Sequence, residues 1–266
     1  MTAVGGVAAT GSAPPSGVLV VSGTGTGVGK TIVTAAVAAV AASAGRSVAV
    51  VKAAQTGVGP DEPADLAQIS ALTGLPADSL REVARYRLPL APATAARLAG
   101  LPQMDLDACA GVVRSLASCH DLVLVEGAGG LLVRLCDQPP PAVTVADLAR
   151  SLGCPVVVVV DPWLGTLNHT ALTLEALAAR GVACAGLVVG RWPAHPDLAC
   201  RANLEDLRGL AGADLAGVLA DGAGRLCAGS FLVTAGASLG PGLGGTFDAA
   251  DFRRRHRPFD GPDREE

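Results

Sequence analysis

The segment Val18–Thr31, V-L-V-V-S-G-T-G-T-G-V-G-K-T, constrains this chain more than any other stretch of it. It reads as an apolar strand, a glycine-rich turn and the first residues of a helix. Glycines allow backbone N–H groups to point inward around phosphate oxygens, and the helix N-terminus adds partial positive charge. In such a loop Gly25, Thr26, Gly27, Val28 and Gly29 form the cradle. Lys30 reaches the outer phosphates, and the Thr31 hydroxyl ligates Mg²⁺. An ordinary glycine turn does not call for G-K-T at a helix start directly after a buried strand. The spacing departs from the usual G-x-x-x-x-G-K-T. Thr24 stands where the first glycine belongs, and Gly23 comes one residue earlier.

Beyond this loop, strand-like and helix-like segments alternate. Strands are expected at Val18–Ser22, Ser47–Lys52, Leu122–Glu126, Pro155–Asp161, Ala185–Gly190 and Ala216–Ala220. Helices are expected at Thr31–Ala44, Asp65–Thr73, Asp105–Cys119 with Asp105 as cap, Val143–Leu152 and Asn168–Ala179. Continuous β-branched strands between helices predict an α/β fold: a single P-loop NTPase-type domain whose mainly parallel sheet carries helices on both faces. Ligands of such sheets bind beyond the carboxyl ends of the strands. Residues 1–16 are expected as a flexible leader, 17–235 as the domain, and 236–266 as a Gly-rich and charged tail, partly disordered.

Half of the residues are hydrophobic and mean hydropathy is +0.45, yet no apolar run is long enough to span a membrane. The opening residues lack the cationic start and apolar block of a secretory signal, which points to a cytoplasmic protein. Seven widely spaced cysteines form no C-x-x-C pair, which argues for neither a disulfide framework nor a zinc site. Formal charge is −4 with scattered basic residues, so nucleic acid is not an expected partner. The exception, Arg253–Arg257, lies beside the acidic Asp263–Glu266 and reads as part of a solvated tail. Only Lys30 and Lys52 are lysines among 20 basic residues. A compact ammonium suits a crowded phosphate or reacting carboxylate differently from a guanidinium fork.

The G-T-G-T-G-V-G-K-T of Gly23–Thr31 resembles the P-loop of the dethiobiotin synthetases. Four further segments follow in that family's order: V-K-A-A-Q-T-G at Val51–Gly57, L-P-L-A-P-A-T-A-A at Leu88–Ala96, V-E-G-A-G-G at Val125–Gly130 and L-G-T-L-N-H-T at Leu164–Thr170. The resemblance covers roughly Val18 to Ala220. It implies Mg²⁺- and nucleoside-triphosphate-dependent carboxylation and ring closure of 7,8-diaminopelargonic acid with CO₂ to dethiobiotin, through a carbamate and its mixed phosphoric anhydride.

The same resemblance assigns roles. Lys30, Lys52 and Thr26 serve the reacting groups, with Lys52 contacting both carbamate and γ-phosphate. Thr31, Asp65 and Glu126 surround the metal. Gly127 and Gly190 join the P-loop and Glu126 at the nucleotide. Thr56, Gly129 and the turn Gly165, Thr166, Leu167 and Asn168 meet the substrate, the turn coming from a neighbouring subunit and so implying a homodimer. Asp161, ending V-V-V-V-V-D, has the same local form as Glu126, and spacing alone leaves both open as the metal-directed acid. Three departures stand out. Gly190 replaces an asparagine that often reads adenine, so CTP or another triphosphate is an alternative to ATP. Leu219–Ala220–Asp221 replaces a proline-containing turn. Ala53 replaces a proline beside Lys52. A different class, the partition-type ATPases that switch partners, carries a signature lysine where this chain has Thr24.

Overall fold

The computed structural model describes residues 15–137 and 142–258. Seven parallel strands form one sheet: β1 (Gly17–Gly23), β2 (Val48–Lys52), β3 (Leu80–Glu82), β4 (Leu122–Glu126), β5 (Val156–Val160), β6 (Cys184–Trp192) and β7 (Gly217–Ala220). Their spatial order is β7-β6-β5-β1-β4-β2-β3. Helices α1 (Lys30–Ser43), α2 (Asp65–Thr73), α3 (Pro92–Ala99), α4 (Leu106–Ala117), α5 (Val145–Leu152), α6 (Thr166–Ala178), α7 (Leu198–Ala211), α8 (Ala228–Ser238) and α9 (Ala249–Arg255) surround it.

The valine-rich strands divide their side chains between two cores, as the two-residue period of a strand requires. Leu19, Val21, Val48, Val50, Leu122 and Leu124 face one core, shared with α1, α2 and α8. Val20, Ala49, Val51, Val123, Val125 and Val158 face the other, shared with α4 to α7. Both faces are covered, so β2, β4 and β5 are buried along their whole length. Helix α1 lies under α2 and α8, and its alanines 35, 36, 38, 39 and 41 are all buried. Small side chains there let three helices and a sheet approach one another closely. Five of the seven cysteines are buried as small core residues. Burial pushes the thiols of Cys109, Cys154 and Cys184 up to about 11. Among the described residues, no helix is long and apolar enough to cross a membrane.

The structure adds elements that the sequence pattern does not announce. Strand β3 is three residues long and half polar, and it joins the sheet edge through backbone pairing with Val50–Lys52. Helices α3, α7, α8 and α9 extend the expected set. Two helices begin away from their expected starts. Helix α6 begins at Thr166 because Gly165 takes a left-handed φ of 98° and turns the chain. Helix α5 begins at Val145, where Thr144 and Asp147 form a capping box.

The Arg253–Arg257 cluster, expected in a solvated tail, calls for a correction. Leu239 is fully buried and bridges Gly217 of β7, and Gly240 donates to the Ala216 carbonyl. On α9, Phe252 packs edge-on to Trp192 with ring centroids 5.2 Å apart. Arg253 pairs with Asp214 at 2.6 Å and Glu205 at 3.3 Å. Apolar contacts of Phe247 and Phe252 with the core join these ion pairs in holding the segment against the domain. The remainder of the expected tail, 259–266, lies outside the described residues, as does most of the expected leader. Phe252→Ala should therefore destabilise the protein by about 2 kcal/mol in urea unfolding. A change within 0.5 kcal/mol, typical of a surface site, would show that α9 is not part of the folded unit.

Candidate active site

The carboxyl ends of β1, β2, β4 and β6 open on a cleft of ≈ 910 Å³. Its phosphate end is the P-loop. Gly27 (φ 80°) and Gly29 (φ 98°) hold left-handed conformations there, turning the backbone into the start of α1. The Lys30 ammonium donates to the Gly25 carbonyl at 2.7 Å, so it lies folded across the loop that a phosphate would fill. Burial drives the Lys30 pKa down to about 8, although the nearby Glu126 carboxylate raises it. A bound polyphosphate would raise it again and hold the ammonium in its charged form.

Glu126 is the centre of the site. It ends β4 with no exposed surface, beside Lys52 at the end of β2, because the register pairs these two residues directly. Its Oε1 accepts from the Thr31 hydroxyl at 2.9 Å and from the Lys52 ammonium at 2.6 Å. Its Oε2 is buried without a hydrogen-bond partner. Lys52 also pairs with Asp65 at 2.5 Å, at the first turn of α2. Burial would lower the Lys52 pKa, but the Glu126 and Asp65 carboxylates outweigh it and raise the value above that of a free lysine. The Lys52 ammonium therefore stays charged.

Thr31 donates to Glu126, and Asp65 shares the Lys52 ammonium with it, so three hard oxygen donors stand close together, and the orphaned Oε2 is open to a cation or water. Among the described residues, no three His, Cys, Asp or Glu side chains form a cage. The arrangement suits a small cation that takes most of its oxygens from phosphate and water, as Mg²⁺ does. Asp161 does not line this cleft. Its carboxyl is pushed upward by burial, opposed by Arg191, Lys30 and His169.

Of the other expected residues, Thr26, Thr56, Gly129 and Gly190 line the same cleft. Gly127 lies behind it. Its N–H donates to the Val21 carbonyl, and a Cβ there would meet the Val145 side chain at 2.9 Å. Val28 is buried beneath the loop. The turn Gly165–Asn168 does not reach this cleft and opens α6 elsewhere on the surface. Gly190 packs against the P-loop backbone so closely that a Cβ would meet the Val28 carbonyl at 2.1 Å and Val159 at 2.6 Å. An asparagine cannot occupy this position without moving the P-loop.

The sequence pattern marks Asp221 only as the end of a departing turn and does not connect it with Arg191 or Arg225, and these three line the far end of the cleft. Arg191 donates to the Gly27 carbonyl at 3.1 Å and pairs with Asp221 at 3.2 Å. Loop positions after two different strands meet here, and only the packing of β6 beside β7 brings them together.

Two measurements follow from this geometry. Triphosphate binding near pH 8 should take up about half a proton as Lys30 recovers its charge. Calorimetry in buffers of different ionisation enthalpy reads this directly, and zero uptake would place the Lys30 pKa elsewhere. Gly190→Asn should lose most nucleotide affinity or fold poorly. Unchanged binding would show that the loop yields readily to a side chain.

The family model described as an AAA domain matches residues 17–221. The septum site-determining protein MinD of Pyrococcus horikoshii OT3, solved with Mg-ADP, has a similar structure with TM-score 0.50 and 16% identity. That match covers 85% of this chain and 93% of the other and shows the shared fold. The ATP-dependent dethiobiotin synthetase BioD of Frankia casuarinae is 59% identical over 238 residues, covering 90% of this chain and 98% of its own. The protein of the same description from Streptomyces coelicolor is 52% identical over 241 residues, covering 91% and 99%. At this level of identity over nearly the full length of both chains, this chain belongs to the dethiobiotin synthetase family.

Proposed function

We infer that the chain is an ATP-dependent dethiobiotin synthetase, a ligase that closes the ureido ring of dethiobiotin. The observation that carries the reading is the coincidence of two lysines with a buried carboxylate beside a P-loop. Phosphoryl transfer to a carbamate brings anionic oxygens together, and pre-placed cations stabilise the charge that develops. One amine of 7,8-diaminopelargonic acid takes up CO₂ as a carbamate. A carbamate oxygen attacks the γ-phosphorus and the nucleoside diphosphate departs. The second amine then attacks the carbonyl carbon, phosphate leaves with the former carbamate oxygen, and the ring closes.

Lys30 leaves the Gly25 carbonyl to hold the β- and γ-phosphates, and its burial keeps it from bulk water. Lys52 stands between the γ-phosphate and the carbamate, charged throughout because Glu126 and Asp65 support its proton. Thr26 lies on the loop at the reacting end. Thr31, Glu126 and Asp65 are the proposed metal ligands, and Mg²⁺ when bound neutralises charge on the phosphate oxygens. Thr56 and Gly129 flank the substrate.

A homodimer fits the surface. The turn Gly165–Asn168 lies off this chain's own cleft, next to exposed Leu164 and Leu172 and a hollow of ≈ 390 Å³ shared with Leu132 and His169. Exposed apolar side chains at this density mark an interaction face. A second copy docked there would bring its turn to this cleft, with the backbone N–H groups at the start of α6 facing a substrate carboxylate.

Lys52→Arg should lower turnover by about a hundredfold, as loss of one pre-placed charge donor does, while triphosphate affinity changes little. Wild-type turnover would remove Lys52 from the chemistry. Leu172→Glu should shift the mass in solution from dimer to monomer and abolish turnover. A wild-type mass of one chain under assay conditions would end the shared-site reading.

A further inference from the structure

The nucleotide cleft ends in a small group of charged side chains that a phosphate site does not require. At this end Gly190 and Arg191 lie near the close of β6, and β7 is followed by Asp221 and the turn Gly222–Arg225. The turn is closely seated. A Cβ on Gly224 would meet Ile32 at 2.5 Å and Gln68 at 2.9 Å. Asp221 is tied to β6 twice, by its N–H to the Trp192 carbonyl at 2.7 Å and by its carboxylate to Arg191. Gly190 has no side chain with which to read a base, and the P-loop leaves no room for one.

We propose that Asp221 is the base-discriminating residue of this enzyme, accepting a hydrogen bond from the exocyclic amino group of adenine or cytosine. The proposal rests on the cleft being the triphosphate site. Arg191 holds one carboxylate oxygen, Oδ1, through its Nε. The other, Oδ2, has no hydrogen-bond partner among the described residues and is available to a ligand. Adenine carries an amino group at C6 and cytosine one at C4, whereas uracil presents a carbonyl oxygen there. A carboxylate attracts the first two and repels the third. Arg191 contacts the P-loop carbonyl of Gly27 and acts as a positioning residue, felt equally by every base. Asp221 is half exposed, so water competes and the preference is moderate.

Titration calorimetry with β,γ-methylene analogues of ATP, CTP and UTP, in the presence of Mg²⁺, tests this. The wild type should bind the adenine and cytosine analogues about tenfold more tightly than the uracil analogue, the scale of one partly exposed charged hydrogen bond. Asp221→Asn, whose amide can donate as well as accept, should bring that ratio close to one, and Asp221→Ala should do the same. Arg191→Gln should weaken all three analogues while leaving the ranking intact. An unchanged ratio in both Asp221 variants overturns the assignment and leaves the pair a surface ion pair only. Failure of every analogue to bind the wild type overturns the reading of the cleft itself.

Discussion

The site depends on a single carboxylate that has nowhere else to go. Glu126 is withdrawn from water at the end of a central strand, where an unpaired charge would cost several kcal/mol. It is kept there by the Lys52 ammonium and the Thr31 hydroxyl on one oxygen. The other oxygen is unsatisfied. That imbalance is expensive to the fold and useful only if something bound completes it. The register makes the pairing unavoidable, because β4 and β2 run side by side and end on Glu126 and Lys52 together. Lys52 in turn carries Asp65 from the next helix into the same cluster.

A second constraint is steric. The P-loop lies directly on β6, with Gly29 and Gly190 in mutual backbone contact. Two glycines at that crossing fix the distance between the phosphate cradle and the end of β6. The contact also leaves no room for a side chain at position 190, so the polar groups at that end of the cleft are Arg191 and its partner Asp221. Trp192, at the end of the strand, is held by Phe252 of α9 and by His256 just after that helix. The C-terminal helix thus supports the strand that supports the phosphate loop.

Much of this was legible from residues alone. The strand, loop and helix of Val18–Thr31 announce themselves by composition, because few other arrangements need those glycines before Lys-Thr. Valine runs bounded by helices gave the parallel sheet. Glu126 and Asp161 could not be separated by pattern, since both end buried valine-rich strands. Packing distinguishes them, because only Glu126 receives the Thr31 hydroxyl and the Lys52 ammonium. Strand β3 escaped because an edge strand of three residues carries little apolar pattern. Helix α9 escaped because its arginines dominate the reading, whereas a single aromatic residue, Phe252, carries its packing against Trp192 and the core. The Arg191–Asp221 pair escaped because it joins residues 30 apart in sequence.

Whether this site phosphorylates a carbamate is recorded in the fate of one oxygen atom. The enzyme would be supplied with Mg²⁺, ATP, diaminopelargonate and ¹⁸O-labelled bicarbonate, and the released phosphate examined by mass spectrometry. Carbamate phosphorylation should put one labelled oxygen in each phosphate, released in step with dethiobiotin, because the leaving phosphate carries the carbamate oxygen away. Phosphate free of label, or released without diaminopelargonate, would mean that water is the acceptor and that the clustered lysines serve simple hydrolysis.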